Sequence, residues 1–299
     1  MCLIIAHGDG DGVISAAVLK TIYPEAMVTF SKPQHLLRLL EELGDNPEIT
    51  KIYIADIGLD RHNSRPIVEC VQRHKDKIKL WVDHHHGSEK LIPVLKDKLL
   101  LDVNQPSCPA VMAINGIKVL PKWLEAANAC DRPLDYPDNS ISLLWNQAFR
   151  VIISLQAPKE LRKLQYNFLE FLLHHKHAKY LANFRSRYEL IAKNTLATLP
   201  TIQDVSQKIG FVKITRQTKI DKRLLFLEAY KKYEILILWE MVNGKHFLTL
   251  GTKNQKIDFL KIFSLSSGSP FRVRLKGNVD VLIEIILQQL NPWLDPDER

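Results

Sequence analysis

Short apolar runs that end abruptly at a carboxylate or an imidazole recur through the first half of this chain. The sharpest is Lys79-Leu80-Trp81-Val82, which leads into Asp83-His84-His85-His86-Gly87. Residues 2–6 run into His7-Gly8-Asp9-Gly10-Asp11-Gly12, and residues 52–55 into Asp56-Ile57-Gly58. A short unbroken apolar run bounded by turn residues suits a parallel strand buried on both faces. Helical stretches at 13–22, 34–43 and 64–73 and further strands at 27–30, 78–82 and 99–103 complete an alternation of strand and helix. Such βα units build an open, mostly parallel, doubly wound sheet with right-handed connections. Ligands of these sheets bind outside the carboxyl ends of the strands. His7, Asp9, Asp11, Asp56, Asp83, His84 and His85 all follow predicted strand ends, so three strands deliver them to one edge. Gly8-x-Gly10-x-Gly12 is not a dinucleotide fingerprint: it lacks the G-x-G-x-x-G spacing, and acidic and imidazole side chains fill the turn.

Past this region, Pro106-Ser107-Cys108-Pro109-Ala110 opens a helix of small residues. Residues 120–130 read as another, closed by Pro133. Asp131 at its end is either a further ligand or a solvated residue paired with Arg132. From Pro158 to Pro200, leucines and aromatics at helical spacing predict a long helical connector. His174, His175 and His177 lie on it without acidic neighbours and read as helix-surface histidines. Strands at 208–215, 234–241 and 245–252 follow. The last two flank Asn243-Gly244, a hairpin signal. A helix at 258–263, a strand at 271–275 bearing Arg272 and Arg274, and a helix at 279–290 close the chain. The expected class is therefore α/β. Residues 1–150 form the N-terminal sheet domain, 151–200 a helical linker, and 201–299 a smaller C-terminal α/β domain.

Composition narrows the function classes. Hydrophobic residues make up 46% of the 299, enough for real cores and against disorder. The formal net charge of +8 favours a polyanionic partner such as nucleic acid or a nucleotide. Cys2, Cys70, Cys108 and Cys130 are scattered and read as reduced, buried thiols, and no apolar run reaches the length of a membrane span. A cytoplasmic protein with no membrane partner is expected, and the layout admits a homodimer.

An oxygen-rich, thiolate-free ligand set suits manganese or magnesium, with cobalt, zinc or iron open. Six side chains with Asp56 shared would overfill one site but suit two cations about 3.5–4 Å apart, the arrangement that hydrolyses phosphate esters. His85 would face the substrate and stabilise charge on a phosphate oxygen. Asp83 would hold a ligand imidazole in place.

Taken together, His7-x-Asp9-x-Asp11-Gly12, Asp56-Ile57-Gly58, Asp83-His84-His85 and Asp131 resemble the motifs of the DHH phosphoesterase superfamily, over roughly residues 1–140. The layout is similar to its two-domain branch, the RecJ-like exonucleases and nano-RNases with a DHHA1-like second domain. The resemblance implies His7, Asp9 and Asp56 on one Mn²⁺, and Asp11, Asp56, His84 and Asp131 on the other, with Mg²⁺ or Co²⁺ as substitutes. His85 and Asp83, on the roles given above, are the candidate catalytic residues. His86 lies outside the motif. The branch carries a Gly-Gly-Gly-His signature in its second domain, where this chain has Ser266-Ser267-Gly268-Ser269-Pro270-Phe271-Arg272-Val273-Arg274. Small residues still permit backbone approach to a phosphate, so Ser267, Gly268, Ser269, Arg272 and Arg274 are the candidate substrate contacts.

Three functions are open at this stage. The first is a two-metal phosphodiesterase releasing mononucleotides from short single-stranded RNA or DNA, as a nano-RNase (oligoribonuclease) or exonuclease. The second is a phosphatase or phosphodiesterase of small nucleotides, such as 3′-phosphoadenosine-5′-phosphate or cyclic dinucleotides. The third is a catalytically silent scaffold that binds nucleic acid. Clustered like-charge carboxylates are costly to keep and favour the enzymes.

Overall fold

The computed structural model describes residues 1–59, 64–155, 157–214, 219–242, 244–254, 256–264 and 272–290, without the side chains of Val242, Arg272 and Asp280. The chain divides into two compact units, Met1–Arg185 and Ser186–Arg299.

The first unit opens with β1 (Cys2–His7), α1 (Gly10–Ile22), β2 (Met27–Ser31), α2 (Pro33–Gly44) and β3 (Lys51–Ala55). It continues with α3 (Ser64–His74), β4 (Ile78–Asp83), α4 (Ile92–Leu95), β5 (Leu99–Leu101), α5 (Cys108–Ile114) and α6 (Pro121–Asp131). The five strands form one parallel sheet in the order β2-β1-β3-β4-β5. The chain reverses direction across the sheet between β1 and β3, and a crevice opens at the carboxyl ends of strands on either side of such a reversal.

Strand period two sorts the core. Leu3, Ile5, Ile52 and Ile54 face one side and pack with Leu36 and Leu40 of α2 and Ile67, Cys70 and Val71 of α3. Ile4 and Ala6, of opposite parity, are fully buried on the other side, where α1 packs on β1. Three more helices, α7 (Ser140–Leu155), α8 (Pro158–His174) and α9 (Ala178–Ala182), complete the unit, and α6 and α8 pack on α1.

The second unit contains α10 (Arg185–Thr198), β6 (Gln203–Asp204), β7 (Ile209–Ile214), α11 (Lys222–Ala229), β8 (Ile235–Val242), β9 (Lys245–Thr252), α12 (Phe259–Ile262), β10 (Arg272–Lys276) and α13 (Val279–Leu290). Its mixed sheet runs β10-β9-β8-β7-β6, with β7 and β8 parallel and the other pairs antiparallel. Residues Ile209, Ile235, Ile237, Leu248 and Leu250 pack beneath Ile286 and Leu290 of α13. Val242 pairs with Lys245 across the turn, and Gly244 has φ +72°, which a glycine adopts at no steric cost. Asn243 lies outside the described residues.

The structure departs from the sequence reading at three places. First, the helix expected from 13 begins at Gly10, because Asp9 takes the N-cap position and its carboxylate accepts from Gly12 N at 3.3 Å. Asp11 therefore sits in the first helical turn. Second, the strand expected at 99–103 stops at Leu101, where the Asp102 carboxylate accepts from Asn104 N at 2.9 Å and turns the chain. Third, the single long connector is broken at its histidines. His174 ends α8, and His175 and His177 have φ of +55° and +62°. No continuous helical face therefore joins His174 to His177. The helices of the stretch 151–200 are divided between the two units. All four cysteines are free; Cys2, Cys70 and Cys108 are buried.

Since Ile5 is fully buried against α2 and α3, Ile5→Ala is expected to cost about 2–5 kcal/mol. The shift of the denaturant midpoint measures it, and a loss well under 1 kcal/mol would contradict this packing.

Candidate metal centre

Each donor of the centre is placed by the end of a strand or helix. His7 ends β1, Asp9 caps α1 and Asp11 lies in its first turn. Asp56 follows β3, His84 and His85 follow β4, and Asp131 is the last residue of α6. These are the carboxyl ends of three adjacent central strands and the C-terminus of a helix packed against α1. Asp56 keeps its ladder bond, Asp56 N to Val82 O at 2.9 Å, while its φ is +60°. A left-handed conformation is unfavourable for most side chains and tolerated by Asp or Asn. It turns the chain at the point where the carboxylate enters the crevice.

Within the crevice, His7 Nδ1 lies 2.7 Å from Asp9 Oδ2 and 3.8 Å from Asp56 Oδ2. On the other side, His84 Nε2 lies 3.2 Å from Asp56 Oδ1 and 3.6 Å from Asp11 Oδ2. Asp56 thus stands between two groups of donors. Three sets have mutually close ligand atoms: His7, Asp9 and Asp56; Asp11, His84 and Asp131; and Asp56, His84 and His85. Asp131 is exposed, whereas Asp11 and Asp56 are almost wholly buried. Gly12 permits the approach, since a Cβ there would lie 2.4 Å from His7 O and 2.8 Å from Asp56 Oδ2.

The chemistry of the donors fits divalent cations. His84 Nδ1 is 3.3 Å from the Gln105 carbonyl, which can only accept, so Nδ1 carries the proton. The Nε2 lone pair then points at carboxylate oxygens. His84 Nε2 and both oxygens of Asp56 are buried without a hydrogen-bond partner. Acceptors facing one another in a buried site repel unless a proton or a cation lies between them. Burial and the neighbouring Asp11 and Asp9 charges push the Asp56 carboxyl well above its ordinary range, and burial with Asp9 and Asp131 does the same to Asp11. Burial and the charge of His85 lower His84, which favours its neutral, ligating form.

Asp83 and His85 form a second arrangement beside this one. His85 Nδ1 is 2.7 Å from Asp83 Oδ1, and the same oxygen accepts from His84 N at 2.9 Å. Ser88 Oγ donates to Asp83 Oδ2 at 2.5 Å. Burial would raise the Asp83 carboxyl, but the His85 bond and charge and the Ser88 hydroxyl hold it below the usual range. Desolvation opposes charge on His85, yet the Asp83 bond and charge outweigh it and raise His85 to about 9. The Asp83 carboxylate thus favours the protonated form of His85. His86 is exposed and points to Glu89 at 3.4 Å, outside the cluster.

Several contacts around the centre had no motif to announce them. Ser88, the Gln105 carbonyl and the Cys108 amide, 3.4 Å from Asp11 Oδ2, fix the acidic side chains and His84. Gln165 of α8 donates to Gly8 O at 2.8 Å and clamps the β1–α1 turn. A backbone carbonyl carries no sequence signal, and Gln165 lies far along the chain in an ordinary amphipathic helix.

Of the candidate substrate contacts, Ser267, Gly268 and Ser269 lie outside the described residues, and Arg272 is described only by its backbone in β10. Arg274 donates to Glu240 Oε1 and lies 4.1 Å above the Phe247 ring, while Lys222 pairs with the other Glu240 oxygen. Its guanidinium is therefore engaged by a carboxylate within its own unit.

No family model matches the chain, and neither does any curated protein sequence. Solved structures do match. A pGpG-specific phosphodiesterase, PggH from Vibrio cholerae, aligns over 98% of this chain and 99% of its own, with TM-score 0.64 and 16% identity. An exopolyphosphatase-related protein from Bacteroides fragilis aligns over 98% and 92% (TM-score 0.55, 11% identity). Exonuclease RecJ bound to manganese aligns over 99% and 91% (TM-score 0.53, 12% identity). The chain shares the fold of these proteins. At these identities the likeness concerns the fold alone, and in this chain the clustered donors sit at the switch of strand order.

Asp56→Asn removes one buried charge beside Asp11 and keeps a side chain that tolerates positive φ. In chelator, the variant is expected to melt at or above the wild-type temperature. Mn²⁺ is expected to raise the wild-type Tm, by the equivalent of about 2.7 kcal/mol at a hundredfold excess over Kd, and to leave the variant nearly unmoved. An equal Mn²⁺ shift in both proteins would remove Asp56 from the ligand set.

Proposed function

We propose that this protein is a two-metal-ion phosphodiesterase that hydrolyses short single-stranded oligonucleotides, dinucleotides included, to mononucleotides. The observation that carries the reading is Asp56: a buried carboxylate, both oxygens without hydrogen bonds, between His7–Asp9 and Asp11–His84. In this reading His7, Asp9 and Asp56 hold one cation, and Asp11, Asp56, His84 and Asp131 the other. Manganese is the first choice, supported by the RecJ neighbour's bound metal. Two bound divalent ions supply Lewis-acid stabilisation of the phosphoryl oxygens and activate water near neutral pH.

The chain's own groups supply the rest. The Gln105 carbonyl holds His84 in the tautomer that presents Nε2 to the centre. Asp83 favours the protonated form of His85 and fixes its ring, so that the imidazole can donate to a phosphate oxygen as charge develops there. Asp83 stays ionised because His85 and Ser88 both donate to it. The net charge of +8 favours a polyanion, and the PggH neighbour, described as specific for pGpG, supports the short end of the substrate range.

The test is a panel with Mn²⁺: end-labelled RNA and DNA from two to about twenty nucleotides, cyclic dinucleotides and 3′-phosphoadenosine-5′-phosphate. Stepwise release of mononucleotides is expected, fastest on the shortest oligomers. Asp56→Ala is expected to abolish it, while Arg274→Ala, whose guanidinium is engaged by Glu240, leaves most of kcat. Hydrolysis confined to 3′-phosphoadenosine-5′-phosphate would replace the proposed substrate. No hydrolysis of any phosphodiester would return the protein to the scaffold reading.

A further inference from the structure

A cleft of about 640 Å³ opens from His7, Gly8 and Asp9 and runs within the first unit toward the end of β2 and the start of α2. Its size falls in the range of clefts that hold a small ligand, about 300–1,000 Å³. Its lining includes the apolar and aromatic side chains of Phe30, Phe149 and Ile153. It also includes the basic side chains of Lys32, His35 and Arg38 around the start of α2 and of Arg162 from α8. Glu42 also lines the cleft, but it is occupied by Arg38, Nε to Oε1 at 2.7 Å. Lys32 and Arg162 are exposed and have no ion-pair partner among the described residues. Their positive charge is therefore uncompensated on a surface that begins at the metal centre. The first turn of α2 has neither a side-chain cap nor an acidic residue, which adds a partial positive charge at the same end.

Aromatic rings and unpaired cations lining one cleft are what a nucleotide needs: a stacking surface for the base and charge for a phosphate. Phe149 is backed by Trp145, ring centroids 5.6 Å apart, and Phe30 by Tyr166 at 5.3 Å, so both rings are held in place. We propose that this cleft is the nucleotide subsite next to the metal centre. Lys32 and Arg162 hold a non-scissile phosphate of the substrate, and Phe30 and Phe149 hold the adjoining base. The proposal rests on the phosphodiesterase reading and deepens it. It makes the preferred substrate a short oligonucleotide carrying a further phosphate beyond the one cleaved, and it places the specificity for that phosphate in the first unit.

The experiment is calorimetric titration of the Mn²⁺-loaded full chain with 5′-AMP, with inorganic phosphate and with a 5′-phosphorylated dinucleotide whose internal linkage is a non-hydrolysable methylenephosphonate. Wild type is compared with Lys32→Ala/Arg162→Ala and with Lys159→Ala, an exposed charge on α8 outside the cleft. The double variant is expected to bind both nucleotides at least tenfold more weakly, and Lys159→Ala to stay within twofold of wild type. Phe149→Leu is expected to weaken binding of both nucleotides while leaving that of inorganic phosphate unchanged. Equal losses in the double variant and Lys159→Ala would reduce the effect to general attraction by a basic protein and overturn the subsite. So would the absence of nucleotide binding by wild type. Failure of the phosphodiesterase reading shows separately, as wild type that binds nucleotides but hydrolyses no phosphodiester.

Discussion

Two buried carboxylates held beside one another govern this structure. Asp11 and Asp56 are almost wholly shielded from water, and their charges repel. A soluble fold gains nothing from that pairing, because an ionised carboxylate without partners is among the costliest groups to bury. The backbone nevertheless enforces it. Asp56 adopts a left-handed conformation to enter the crevice, Gly12 gives up its side chain so that the chain can approach, and α1 begins early enough to carry Asp11 in its first turn. The neighbouring side chains are arranged to receive positive charge: His84 is held neutral with its lone pair inward, and Asp9 and His7 close the other side. Strain and repulsion concentrated at one place mark a site kept for chemistry.

The sheet explains why the site lies where it does. Reversal of strand order between β1 and β3 leaves their carboxyl ends diverging, and the turns after them line a common crevice. β4, next to β3, adds Asp83, His84 and His85 from the same edge. Asp83 then serves two neighbours at once, positioning His84 through its amide and charging His85 through its ring. The basic and aromatic cleft starts on the β2 side of the same edge, so the proposed substrate grip and the proposed cation site would both follow from one topological feature.

Much of this was legible in the chain because strand ends are marked by abrupt changes of residue type. Apolar runs stopping at His7, Asp56 and Asp83 gave the parallel sheet, its donor-bearing edge and the donor cluster. Boundaries were less legible. Capping by Asp9 moved the start of α1, and the Asp102 turn shortened β5; both depend on side-chain hydrogen bonds that periodicity does not register. The broken connector hid for a similar reason, since two histidines in left-handed conformations interrupt an unbroken helical pattern. The groups that tune the centre, the Gln105 carbonyl, Ser88 and Gln165, come together only through tertiary packing. The cleft was invisible as well, because Lys32, Arg162 and Phe149 are ordinary residues far apart in sequence.

The central claim is that Asp56 is shared by two cations. Its most direct measurement is manganese stoichiometry of the chelator-stripped, Mn²⁺-reloaded protein, together with its electron paramagnetic resonance spectrum. Two ions per chain in a spin-interacting pair are expected, as for centres a few ångströms apart, with the interaction lost in Asp56→Asn. A single isolated Mn²⁺ per chain, or a paired signal that survives Asp56→Asn, would contradict it.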